Sequence, residues 1–390
     1  MSLDLARLRA ETPGCANVTH LNNAGSSLPP APVLDAMVGH LQREAQVGGY
    51  EAAAEAESRW EHTYDALARL VGGSRDEIAV VENATRAWDM AFYAFQFSRG
   101  DRILTGRAEY ASNWIALRQV AERTGAVVEI VPDDEYGQID VSALASLLDE
   151  RVKLVSLVQA PAHSGLINPV AAVGKLTRAA GVPLLLDACQ AVGQLPVDVE
   201  ELGCDVLSAT ARKFLRGPRG MGFLWVRRGL IEDLEPPFLD LHAAEWLVDG
   251  GYAIRADARR FENWEASYAG KIGLGVAADY ALDVGLEAIA GRVQPLAARL
   301  RDALRAISGV TVLDRGVVLG GTVTFTVEGH AAGEVKAALA AERINASVGP
   351  ASYGRLQVDE RTVPAFVRAS VHYYNLEEEV DRAAAVVAAL

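Results

Sequence analysis

Cysteine is scarce in this 390-residue chain, and the three present, Cys15, Cys189 and Cys204, form no C-x-x-C pair. That spacing provides neither a disulfide framework nor a zinc cluster, and it fits a reducing compartment, so a cytoplasmic location is expected. Basic residues are outnumbered, 37 Lys and Arg against 51 Asp and Glu, for a formal net charge of -14. A chain of that sign lacks the footprint of a nucleic-acid or membrane-surface binder, which leaves a small molecule as the expected partner. No apolar run reaches the roughly 18 residues of a membrane helix. The opening, MSLDLARLRAETPG, has no apolar core of a signal peptide. What is abundant is apolar material: half of the residues are hydrophobic, enough for a full core and two domains.

Between about 75 and 230, short β-branched runs alternate with longer amphipathic stretches, the rhythm of strands joined by crossover helices. The pattern predicts strands at 77–81, 102–105, 127–131, 153–158, 183–187, 206–209 and 222–226, with helices at 85–97, 113–124, 141–149 and 170–180. Strands such as LVSLVQ and PLLLD are largely apolar, which fits a parallel sheet covered on both faces. The expected fold class is α/β with a mostly parallel central sheet flanked by helices. The acid- and proline-rich stretch IEDLEPPFLDLHAAEW reads as a linker, followed by a long helix over 266–290 and a smaller α+β domain. Before the sheet, helices are expected at 33–46 and 50–71. The expected division is 1–30, a segment bordering the site; 31–265, a large domain; and 266–390, a linking helix with the small domain.

In open α/β sheets ligands sit beyond the carboxyl ends of the strands, so polar residues there are candidates for chemistry. The run PLLLD closes on Asp187, followed by Ala188, Cys189 and Gln190. A carboxylate ending an apolar strand is costly unless a cation or donor meets it. DVLSA runs into Thr210, Ala211, Arg212 and Lys213, and EIAVV runs into Glu82, Asn83, Ala84 and Thr85 at the start of a helix, whose free N–H groups can hold an anion. Of the five lysines, Lys153, Lys175, Lys213, Lys271 and Lys336, only Lys213 follows a buried strand, 26 residues after Asp187. A desolvated lysine in cationic company has a lowered pKa and can form a Schiff base. An anion pocket, such a lysine and an acid for a pyridinium nitrogen are together the requirements of pyridoxal phosphate, the expected cofactor. No metal is expected.

The stretch VPLLLDACQAVGQLPVDVEELGCDVLSATARKFLRGPRGMGFLWV, residues 182–226, resembles the cofactor-binding segment of class V aminotransferases. This is the branch of fold-type I pyridoxal-phosphate enzymes that includes cysteine desulfurases, kynureninase and isopenicillin N epimerase. Further matches are HLNNAGSSLPP, VENATRAWDM, GDRILTGRAEYASNW, INPV, RRFENWEAS and FVRASVHYYNLEEEVD, so the resemblance runs from about 19 to 382. It implies Lys213 as the Schiff-base lysine and proton shuttle, and Asp187 as partner of the pyridine nitrogen. It further implies Gln190 near the phenolic oxygen, and Tyr110, where relatives usually have a histidine, stacked on the ring. Ala84, Thr85, Thr210 and Arg212 would hold the phosphate, Arg212 replacing the usual histidine. Arg368 would clamp the substrate carboxylate, with Asn22 and Asn23 on the loop that usually borders the substrate; His163, beside Ala162, is either a structural histidine or a further substrate contact. A homodimer with active sites at its interface and an amino-acid substrate are implied as well.

Departures narrow the expected activity. The region INASVGPASYGRLQVDERTVPAFVR has no cysteine where desulfurases carry their nucleophile, so persulfide-forming desulfuration is expected to be absent. Ala162 stands where the family has asparagine, and Trp264-Glu265 where it has Gly-Thr after Phe-Glu. EAQVGGY, APAHSGLINP and RKFLRGPRGMGFL resemble the carbon–sulfur lyases of ergothioneine synthesis. The leading expectation is transamination. The alternatives are carbon–sulfur lyase or epimerase chemistry on a cysteine-derived amino acid, and, more distantly, a non-catalytic cofactor-binding regulator.

Overall fold

Seven apolar strand segments pair into one sheet: β1 (Ile78–Val81), β2 (Arg102–Thr105), β3 (Val127–Ile130), β4 (Val152–Val158), β5 (Leu184–Asp187), β6 (Val206–Thr210) and β7 (Gly222–Val226). The order is β1-β7-β6-β5-β4-β2-β3, with β7 antiparallel to both neighbours and every other pairing parallel. The mostly parallel α/β sheet expected from the sequence is therefore present. Every residue of β5, β6 and β7 is buried, as a sheet covered on both faces requires. A computed structural model gives this architecture and describes residues 3–357 and 363–390. Among them no helix is long and apolar enough to cross a membrane.

A second, antiparallel sheet is built from β8 (Val310–Val312), β9 (Thr322–Val327), β10 (Ser347–Pro350) and β11 (Ala365–Ser370), in the order β8-β9-β11-β10. The two sheets share one continuous apolar core, in which Leu186 and Leu207 belong to the same cluster as Phe325 and Val367.

Three sequence expectations are corrected here. The helix expected over 85–97 is Ala84–Phe92, because the following aromatics, Tyr93, Phe95 and Phe97, fold back onto Phe92 and one another. The helix expected over 266–290 is two, Tyr268–Val284 and Leu286–Arg305, broken at Gly285 with φ 90. The helix expected over 50–71 is likewise split into Gly49–Glu55 and Glu57–Val71. The chain beyond the stretch taken as a linker packs on the large sheet. After the hairpin Ala244–Trp246 and Tyr252–Ile254, Ala258 and Phe261 are fully buried against it, and Glu262 Oε1 accepts the N–H of Val80 on β1 at 2.7 Å.

Candidate active site

The carboxyl ends of β1, β4, β5 and β6 open onto a single cavity of about 220 Å³, lined by Asn83, Thr85, Val158, Asp187, Gln190, Thr210 and Lys213 among others. Lys213 sits three residues past β6, in a turn closed by Arg216 N donating to Lys213 O at 2.9 Å and Gly217 N to Ala211 O at 2.8 Å. Gly193, at φ +92, packs beneath this turn, where a Cβ would lie 2.3 Å from Leu215 N. Only glycine meets both demands. Arg216 adopts φ 62, unfavourable for an arginine. It is fully buried, and donates to Leu28 O at 2.9 Å, Thr12 Oγ1 at 2.6 Å and the Tyr373 hydroxyl. Those bonds from the N-terminal segment and the C-terminal sheet region hold the strained turn.

Burial lowers the pKa of Lys213 from its ordinary value, with Arg212 and Arg368 acting in the same direction and Cys189 and Asp187 opposing. Among the described residues its side chain has no hydrogen bond or ion pair. Arg212 is anchored instead, donating to Gly25 O.

At one end of the cavity lies the first turn of helix Ala84–Phe92. Its cap, Asn83, accepts the N–H of Arg86 at 2.9 Å, which leaves the N–H groups of Ala84 and Thr85 for a ligand. Gly222 at the start of β7 lets that helix approach, since a Cβ there would stand 2.7 Å from Asn83 C and 2.8 Å from Ala84 N. At the other end is Asp187, whose Oδ1 accepts from Cys189 N at 2.9 Å and whose Oδ2 accepts from Asn113 Nδ2 at 3.1 Å. Tyr110 caps helix Ala111–Thr124 and lines the same cavity. Gln190 donates to Ala24 O at 3.1 Å, while its buried Oε1 has no partner. Cys189, half-buried, lines the cavity too, and desolvation pushes its thiol far up.

Arg368 on β11 reaches the cavity wall, Nη1 donating to Ala162 O at 2.8 Å and Nε to Ser347 Oγ at 3.1 Å. Burial, then the Arg212 cation, lower its pKa to about 10, with Tyr110 opposing, so it stays charged at neutral pH. Among the described residues it forms no ion pair with a carboxylate. His163 does not line the cavity; it is buried against Gln357 Oε1 at 3.0 Å. Asn23 is also set apart, its side chain satisfied by His20 O, Ser370 O and the Tyr374 hydroxyl. Asn22 bridges to Ser370 with Oδ1 buried and unpaired. Trp264 is exposed, and Glu265 lines two neighbouring cavities instead.

The fit to pyridoxal phosphate can be judged from these groups. An amine without a partner, a helix N-terminus with free donors, a buried carboxylate and an unpaired amide oxygen border one cavity. They match the aldehyde, phosphate, ring nitrogen and phenolic side of that cofactor. The family model described as Aminotransferase class-V matches residues 19–383. The chain belongs to this family. As a class V aminotransferase-family protein it uses pyridoxal phosphate.

A probable cysteine desulfurase of Halobacterium salinarum is 30% identical, covering 98% of this chain and 94% of that protein. The solved apo cysteine desulfurase of Thermococcus onnurineus superposes with a TM-score of 0.90 at 26% identity, covering 100% of this chain and 98% of the other. The cystine C–S lyase C-DES, solved with its reaction product cysteine persulfide, shares the fold at a TM-score of 0.87 and 23% identity, covering 97% and 99%.

These relatives overturn both the expectation of transamination and the exclusion of persulfide-forming desulfuration. The reason is chemical. A cysteine's place in sequence bears on where a released sulfur is held, whereas the bond that breaks depends on the substrate's β substituent. Residues 358–362 of the stretch in question also lie outside the described residues.

Glu109, Asn113 and Arg216 escaped the sequence reading. The first two fall inside the matched string GRAEYASNW, where only Tyr110 drew notice, and Arg216 looked like one more surface arginine.

Proposed function

We propose that this protein cleaves the carbon–sulfur bond of a small sulfur-bearing amino acid, in the manner its relatives' names describe. The carrying observation is the pairing of a pKa-lowered Lys213 lining the small cavity with an Arg368 that touches its wall at Ala162, neither of which has an ion-pair partner among the described residues. Pyridoxal phosphate, when bound, supplies an electron sink for negative charge at the substrate α carbon.

The protein's own groups do the rest. Arg368 receives the substrate carboxylate with its planar donors, which orients the α C–H toward Lys213. Lys213, held below the ordinary lysine pKa by burial, acts as the base for that proton and returns it later. Ala84, Thr85, Thr210 and Arg212, which line the cavity, would hold the phosphate, with Gln190 toward the phenolic oxygen and Tyr110 over the ring. Asp187 would pair with the ring nitrogen and favour its protonated form.

The test is a product assay without any 2-oxo acid, offering L-cysteine and L-cystine to the pyridoxal-phosphate-loaded protein. Sulfur release matched by alanine or pyruvate is expected. No sulfur release from either, with amino transfer once a 2-oxo acid is supplied, would overturn the reading. Three free cysteines suit a cytoplasmic setting. Exposed Leu41, Tyr50, Trp246, Tyr252 and Trp264 support a homodimer, which light scattering at known concentration checks.

A further inference from the structure

Behind Asp187 stands a second carboxylate that the scheme above leaves unused. Glu109, between β2 and helix Ala111–Thr124, is 4% exposed. The Asn113 amide joins the two acids, giving one hydrogen to Glu109 Oε1 at 2.9 Å and the other to Asp187 Oδ2 at 3.1 Å. Glu109 Oε1 also accepts the backbone N–H of Tyr110 at 2.7 Å. Its Oε2 accepts the hydroxyls of Thr105 at 2.7 Å and Ser156 at 3.1 Å. Among the described residues no cation pairs with it. Burial raises its pKa and the Asp187 charge adds to that, against the donors.

Hydrogen bonding alone does not call for a carboxylate here. A glutamine would keep its oxygen toward the two N–H donors and turn its amide toward two hydroxyls, which can rotate to accept. The buried charge is costly and has no ion partner, so its use lies elsewhere.

We propose that Glu109 is a positioning residue for the cofactor ring. Through Asn113 it fixes the Asp187 carboxylate and adds negative charge behind it, which strengthens retention of the ring-nitrogen proton. Through the N–H of Tyr110 it fixes the residue that covers the ring. The inference rests on the assignment of Asp187 to the ring nitrogen.

The test uses the pyridoxal-phosphate-loaded full chain and two readouts besides turnover: the pH midpoint of the visible absorbance and cofactor dissociation by equilibrium dialysis. Wild type is compared with Glu109→Gln, Asn113→Ala and Asp187→Ala. The other charged or titratable groups around Asp187, namely Cys189, Lys213, Arg212, Arg368 and Tyr110, are the same in all four. Removing a negative charge disfavours the protonated chromophore, so Glu109→Gln is expected to lower the midpoint by about half to one unit and weaken cofactor binding about three- to tenfold. Asn113→Ala, which cuts the relay while leaving Glu109 three donors, is expected to act in the same direction and serves if Glu109→Gln does not fold. Wild-type midpoint and affinity in the folded variants overturn the role of Glu109 when Asp187→Ala moves both. If Asp187→Ala moves neither, the Asp187 assignment falls first and the inference with it.

Discussion

On the proposed reading Arg368 is the residue on which substrate recognition turns, because a part-buried guanidinium without a carboxylate partner among the described residues is costly until an anion arrives. Arg368→Ala is expected to raise KM for the amino acid about 100-fold or more, in line with loss of a buried charge-assisted pair worth about 3 kcal/mol, while cofactor affinity stays close to wild type. Steady-state kinetics alongside cofactor dialysis checks this, and an unchanged KM would remove Arg368 from the site. At this scale the sequence was legible where polarity broke a pattern: Asp187 closes an apolar run and Lys213 is a rare lysine after a buried strand. It was illegible where the partner is remote. Glu109 meets Asp187 through a bond spanning 74 residues from Asn113, and Arg216 meets Tyr373 across 157. Asn23, read as a substrate contact, is a turn residue that ties the N-terminal segment to β11 through Ser370.

The elements position the site by close approach. The proposed phosphate seat depends on helix Ala84–Phe92 reaching β7, and Gly222 is the point of contact. Gly222→Ala would drive a methyl to within 2.7 Å of Asn83 C, so the helix start must shift. Overpacking of this kind costs about 1–3 kcal/mol of stability. We expect cofactor affinity to fall by about tenfold or more as the donors of Ala84 and Thr85 move off the phosphate. Urea unfolding and cofactor dialysis together check it; loss of stability with intact affinity would detach this helix from the cofactor. Strand positions were legible because buried parallel strands are apolar and β-branched, and β2 and β7 fall on their expected bounds. Helix breaks at Ala56 and Gly285 were not, because tertiary packing decided them.

At the scale of the molecule, the two sheets are locked through the lysine turn. His372, after β11, is fully buried, receives the N–H of Tyr373 on Nδ1 at 2.9 Å, and so carries its hydrogen on Nε2, which donates to Phe214 O at 2.8 Å. Burial, then the Arg216 cation, hold its pKa well below the ordinary 6.5. As pH falls through that ordinary value, the unfolded chain takes up a proton that the folded one refuses. The stability contribution of His372 is therefore complete above about 6.5 and lost below it, at up to about 1.4 kcal/mol per pH unit. His372→Gln cannot titrate and is expected to lose less stability than wild type between pH 7.5 and 5.5 in urea unfolding. Equal slopes would contradict the locked, neutral histidine. The α/β class was legible from alternating apolar runs, whereas this lock joins segments 158 residues apart that no local pattern connects.

The central claim, that Lys213 is the group that bonds the cofactor in this cavity, is tested most directly by borohydride reduction of the pyridoxal-phosphate-loaded protein followed by peptide mass mapping. The account predicts loss of the visible absorbance band and a single reduced adduct on Lys213, absent from Lys213→Ala. An adduct on another lysine, or a band that borohydride leaves unchanged, would contradict it.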